Sequence, residues 1–270
     1  MAIGFEQIVL LFTVFFIVSV VFMMFGQGGG AVYVPMLLAF GFPLYSCAAT
    51  SQALIVVATL SALIVFHRAG YVDWTLALIV EPPTNLGAFL GGYLSPYFPE
   101  VFSKLAFACI ILIGAYFMIR PIGNGEISPD IRKDRWFCIK RNTGDESYSL
   151  NLLAIIPLMI LAGFVAGMLG VGGGLIKLPA LVLLGGVPMK TAVGSSSLMV
   201  GITALTGLLG HAMAGHFKPK LAFVLGAAVL AGSQIGARLG VMIDKKRHKK
   251  YFGLLLIFIA CWMGYMAFKQ

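Results

Sequence analysis

The chain has 270 residues, of which 60% are hydrophobic and only 11% charged, against roughly 45–50% and about 25% in an ordinary soluble domain. So few charges exclude a water-soluble globular protein, a disordered chain and a nucleic-acid binder, and the mean hydropathy of +0.97 agrees. The net charge of +9 then reads as Lys and Arg on the cytoplasmic loops of a membrane protein rather than as a surface for a polyanion.

A helix needs roughly 20 apolar residues to cross about 30 Å of hydrocarbon. In chain order the long apolar stretches are 3–25, 45–66, 73–94, 105–119, 152–169, 192–214, 221–243 and 251–268. Two shorter ones, 31–40 and 175–184, each follow a glycine run. The first stretch has no basic start and no small-residue cleavage pattern, so it is expected to be structure rather than a signal peptide. Barrel-like alternation over ten residues is absent, and an open chain in lipid has only helices to satisfy its backbone. The expectation is an all-α integral membrane protein. Residues 120–150 hold 11 of the 29 charged side chains and read as a polar linker, of short helices or surface structure, between a first transmembrane repeat (1–119) and a second (151–270). Cys47, Cys109, Cys138 and Cys261 make no C-x-x-C pair; they suggest neither a disulfide framework nor a metal site, and read as small buried hydrophobes.

Self-similarity is the strongest signal. Gly26-Gln-Gly-Gly-Gly-Ala-Val-Tyr-Val-Pro35 matches Gly170-Val-Gly-Gly-Gly-Leu-Ile-Lys-Leu-Pro179 at an offset of 144. One residue of slip later, at 145, Pro43 meets Pro188, Ser51 meets Ser196, Gly70 meets Gly215, Gly87 meets Gly232 and Gly91 meets Gly236. The chain is two homologous halves of about five segments each.

The orientation of the halves depends on whether the short segments cross. If they do, one face carries thirteen basic residues (Arg68, six in the linker, Lys190 and five between 245 and 250) and the other carries Lys104, Lys218, Lys220 and Lys269. If they are re-entrant, the split is ten against seven. The sharper asymmetry favours ten crossing segments and inverted halves, with the linker in the cytoplasm and both termini outside.

Inverted repeats with broken helices are a transporter architecture. Gly28, Gly29 and Gly30, and Gly172, Gly173 and Gly174, are expected to interrupt helices at membrane depth and to expose backbone N–H groups to an anion. Close helix packing is the plainer use of glycine, and Gly87/Gly91 and Gly232/Gly236 fit it. Each triplet is followed by small polar side chains, Thr50-Ser51-Gln52 and Ser195-Ser196-Ser197. These can donate to an oxyanion or bond back to their own helix. Lys177, three residues after Gly174, is a candidate anion-attracting charge, with snorkelling as the alternative. Glu81, before Pro82-Pro83, where the helix is expected to break, is a candidate proton carrier or partner of a buried base. His67 and His211, at matching helix ends, are either solvated or coupling candidates.

The duplicated Gly-x-Gly-Gly-Gly-x-x-x-x-Pro motif, with Thr50-Ser51 in one half and Gly194-Ser195-Ser196 in the other, resembles the TauE/SafE sulfite exporter family. The resemblance covers nearly the whole chain. It implies a carrier of a small sulfur-containing oxyanion, sulfite or an organosulfonate, across the bacterial inner membrane, with the matching glycines, prolines and hydroxyls along the path. Gln27 opposite Val171, and Gln52 opposite Ser197, imply an asymmetric site. No Walker A pattern occurs, so the expected mechanism is secondary transport by alternating access. A passive anion channel or permease is the alternative reading; an enzyme would want paired cysteines or a His–carboxylate cluster. No cofactor, metal or catalytic residue is expected, and homo-oligomerisation is left open.

Overall fold

A computed structural model describes residues 5–119, 137–143, 146–242 and 256–265. Ten α-helices lie among them: α1 (Phe5–Met23), α2 (Gly30–Ala39), α3 (Leu44–Arg68), α4 (Trp74–Leu94), α5 (Glu100–Ile119), α6 (Leu152–Leu169), α7 (Gly174–Leu183), α8 (Met189–Met213), α9 (Pro219–Met242) and α10 (Leu256–Tyr265). The protein is an all-α membrane protein. By length and composition α3, α6, α8 and α9 can each cross a membrane. Helices α1, α4 and α5, at 19, 21 and 20 residues, each extend about 30 Å at 1.5 Å per residue. Large apolar side chains such as Leu78, Leu161, Phe223 and Phe258 are exposed on the outer faces, as contact with lipid requires.

The linker carries an antiparallel hairpin, β1 (Cys138–Thr143) with β2 (Glu146–Asn151); its earlier part lies outside the described residues. Two expectations are corrected. Helix α4 does not break at Pro82-Pro83 but runs through them, because the missing N–H bonds of two adjacent prolines fall within one turn that neighbouring helices brace. Of the four cysteines only Cys47 is buried, whereas Cys109 and Cys261 are exposed; thiols on apolar outer faces are compatible with lipid.

Helices α3 and α8 lie side by side at the centre, α4 packs on α8 and α6, and α9 packs on α3 and α1. The glycines set this arrangement. A Cβ added to Gly87 would come within 2.1 Å of the Ile160 carbonyl oxygen, and one added to Gly91 within 1.9 Å of that of Phe164. In the other half, Gly232 and Gly236 sit as close to the carbonyls of Phe16 (2.4 Å) and Val20 (2.2 Å). Only glycine lets these backbones approach so nearly. The reciprocity extends to a third rung. Gly163 packs on the Thr84 carbonyl, and Ser19, at the matching place, donates to the Val229 carbonyl at 2.8 Å.

These contacts also fix directions. Residue numbers rise together along α4 and α6, and along α1 and α9, so each pair is parallel. Helix α4 is also parallel to α8, since Glu81 meets Thr203 and a Cβ on Gly210 would meet Phe89. Helix α3 is antiparallel to α8, with Thr59 against Gly201 and Gln52 against Gly207.

Candidate functional site

Each glycine run turns the chain out of a long helix and into a short one. Gly26, Gly28 and Gly29 have φ of 69°, 73° and 88°, and the matching Gly170, Gly172 and Gly173 have 75°, 71° and 79°. All six occupy the left-handed region that side-chain-bearing residues enter only at about 1–2 kcal/mol. The turns start α2 and α7, whose first N–H groups have no intrahelical acceptor. The two starts meet. A Cβ on Gly30 would lie 2.8 Å from the Gly170 carbonyl oxygen, and one on Gly174 would lie 3.3 Å from the Gln27 Cα. Ile55 of α3 and Val200 of α8, themselves a matched pair, fill the space between: Gly28, Gly30 and Gly172 abut Ile55, and Gly172 and Gly174 abut Val200.

The polar clusters divide into those that tie the breaks and those that do not. Ser51 donates to the Gly170 carbonyl at 2.7 Å. Gln52 Nε2 donates to the carbonyls of Gly167 (2.8 Å) and Ala166 (3.3 Å) at the end of α6. Ser195 accepts the Asp73 N–H at 2.8 Å, and Ser197 meets the sulfur of Met23 at 4.0 Å. Thr50 is buried on α3. By contrast Ser196 Oγ, the Gln52 Oε1 and both polar atoms of the Gln27 amide are buried without a hydrogen-bond partner among the described residues, and Gln27 is only 2% exposed. A buried amide left unsatisfied is costly unless something else binds it.

Lys177 lies along Gly173 and is 0% exposed. Its ammonium is bonded to Glu81 Oε1, to Thr203 Oγ1 and, at 3.2 Å, to the Met199 carbonyl. Thr203 in turn donates to Glu81 Oε2 at 3.0 Å. All three Nζ hydrogens are committed, and the pair as a unit is neutral. Of the two roles weighed for Glu81, partner of a buried base is the one that the geometry displays.

The family model described as sulfite exporter TauE/SafE matches residues 11–263. The chain belongs to the TauE/SafE family. Among curated relatives it is 28% identical to the probable membrane transporter protein YunE of Bacillus subtilis, over 89% of this chain and 91% of that one. It is also 28% identical to a probable membrane transporter protein of Haemophilus influenzae (97% and 95%) and 25% identical to the probable membrane transporter protein MJ0441 of Methanocaldococcus jannaschii (94% and 93%). No solved structure matches the chain.

In this TauE/SafE protein the two helix-end histidines differ, and at the offset of 145 they are one residue out of register: His211 falls opposite Phe66 and His67 opposite Ala212. His211 is fully buried; its Nε2 donates to the Gly167 carbonyl at 2.9 Å and its Nδ1 lies 3.3 Å from Ser95 Oγ. His67 is exposed, where its Nδ1 accepts the Trp74 indole N–H at 3.3 Å. His211 thus holds the end of α6 just before the second break, and His67 reaches neither break. Four participants are absent from the expected residue set. Gln27 is legible as a departure between the repeats, Ile55 and Val200 as a matched pair, and Thr203 only through its contact with Lys177.

Proposed function

We propose that this protein is a secondary transporter that exports a small sulfur-containing oxyanion, sulfite or an organosulfonate, across the bacterial inner membrane by alternating access. The observation that carries the reading is the meeting of two helix starts at one buried place that also holds an unsatisfied amide. Helix N-termini attract anions, and Gln27 and Ser196 offer uncharged donors that suit an oxyanion. The family's description as sulfite exporters supports the substrate class.

Residues 1–119 and 151–270 act as two inverted repeats joined by a cytoplasmic linker, with both termini outside. The charge asymmetry of the loops supports this, as does the antiparallel course of α3 and α8. Rocking of one half against the other about the shared breaks would expose the anion first to one side and then to the other.

Proteoliposomes loaded with labelled sulfite test the reading. Efflux through the wild type should exceed that from empty vesicles. Ser196→Ala should lower it severalfold without shifting the melting temperature, because the hydroxyl has no hydrogen-bond partner among the described residues to lose. No efflux of sulfite or of sulfoacetate would overturn the substrate class, and unaltered efflux in Ser196→Ala would remove that residue from the site.

A further inference from the structure

The backbone of the site is duplicated, but its charge is not. At the position of Lys177 the first half has Tyr33, which stacks on Phe15 with ring centroids 4.8 Å apart. At the position of Glu81 the second half has Gly226, and at that of Thr203 the first half has Ala58. The same fold is therefore built once with a buried ion pair and once without any charge. The fold of the matching half is built without such a pair. Replacing buried pairs by apolar groups is often neutral or stabilising, and ionisable side chains at membrane depth are functional by default.

The pair is also placed to act. It joins three helices, with Glu81 on α4, Lys177 on α7 and Thr203 on α8, and Lys177 lies against Gly173 of the second break. While Glu81 is ionised, Lys177 has neither a free N–H nor a net charge for an anion. A proton added to Glu81 from the water on one side changes both. The unit becomes +1, and an Nζ–H released from Glu81 can donate to an anion at the start of α7. Departure of the anion lets Lys177 return to Glu81 and expels the proton.

We infer that Glu81 is a proton-binding site linked to the anion site, with Lys177 shifting its charge between Glu81 and the anion, so that one proton and one anion travel together. The inference rests on the transport reading above. Other ionisable groups stand apart from Glu81. Helix α6 contributes none. On α8, His211 is eight residues beyond Thr203, roughly 12 Å along the axis, and Lys190 is near the opposite end, 6.0 Å from the Tyr71 ring. On α4 the capping Asp73 is bonded to Arg141 and Tyr148. On α5, Glu100 and Lys104 pair with each other at 3.6 Å. A dianion carried with one proton takes a net charge of −1, so an inside-negative potential still drives it outward, by about 2.3 kcal/mol per 100 mV.

The test is the equilibrium accumulation of labelled sulfoacetate, whose two acid groups stay ionised near neutral pH, in proteoliposomes with the potential clamped at zero. Labelled sulfite is run beside it. One coupled proton gives about a tenfold accumulation per unit of pH gradient. Glu81→Gln should abolish that dependence, and Glu81→Asp should restore it. Glu81→Gln/Lys177→Met removes both charges and keeps the test available if the single variant does not fold. Transport that ignores the gradient in the wild type, or follows it equally in the variants, overturns the inference. If the wild type moves neither probe, the transport reading fails instead, and infrared difference spectra of the purified protein between acid and neutral pH decide the proton site. Loss of a protonated-carboxyl band in Glu81→Gln would support it; identical spectra would overturn it.

Discussion

The two glycine breaks have nearly the same backbone and opposite surroundings. Around the second break, side chains from α3 and α8 secure the end of α6: Ser51 holds the Gly170 carbonyl, Gln52 those of Ala166 and Gly167, and His211 that of Gly167. Around the first, the counterparts have drifted. Ser196, matching Ser51, has no hydrogen-bond partner among the described residues; Ser197, matching Gln52, meets only a sulfur; Phe66, matching His211, is buried but has no polar atom to offer. Gln27 adds an amide that no described residue satisfies. Duplication thus supplied one cradle twice, and divergence tied the second break by hydrogen bonds and placed a charged pair beside it, while it left hydrogen-bonding capacity unused at the first.

The strongest challenge to the shared scaffold is steric. Gly91→Ala drives a methyl to 1.9 Å from the Phe164 carbonyl, and Gly236→Ala drives one to 2.2 Å from that of Val20. Backbone cannot yield as a side chain does, so each variant should lose about 3 kcal/mol or more, read as melting temperature in detergent. Comparable losses are expected from both; a tolerated alanine at either would mean that the reciprocal packing is not equally tight.

The next effect separates the halves. His211→Ala leaves the Gly167 carbonyl to Gln52 alone and opens a buried hole, for an expected loss of about 2 kcal/mol. His67→Ala, at the corresponding helix end but one residue out of register and exposed, should change stability by less than about 0.5 kcal/mol. Equal effects would dissolve the contrast between a tied and an untied break.

Much of this was legible in the sequence. The glycine triplets, the short helices after them and the offsets of 144 and 145 identify elements that the structure places within a few residues of expectation, because apolar length and glycine punctuation dominate in lipid. The roles of side chains were less legible. Ser51, Gln52 and Ser195 look like ligand donors in a list of residues, yet each bonds to backbone from another part of the chain, which only tertiary contact reveals. Lys177 and Glu81 are 96 residues apart, so no local pattern announces their pairing. The hairpin was hidden for another reason: its strands are docked by Asp73, which receives Arg141 at 2.9 Å and Tyr148 at 2.7 Å.

The smallest expected change in stability is at Gln27, and it sharpens the comparison most. Gln27→Val installs the residue found at the matching position of the second half. An amide that bonds to the fold would cost about 1–3 kcal/mol to remove, whereas an amide without a partner carries only its desolvation penalty. The variant should therefore melt at the same temperature as the wild type or slightly above it. Its affinity for the transported anion should fall by about tenfold, the effect of losing roughly 1.4 kcal/mol of hydrogen bonding to a charged group. Stability and binding would then move in opposite directions from one substitution, as expected of a polar group held by the fold for a visitor. A melting temperature that drops together with affinity would place Gln27 among the structural ties, and the two breaks would be alike after all.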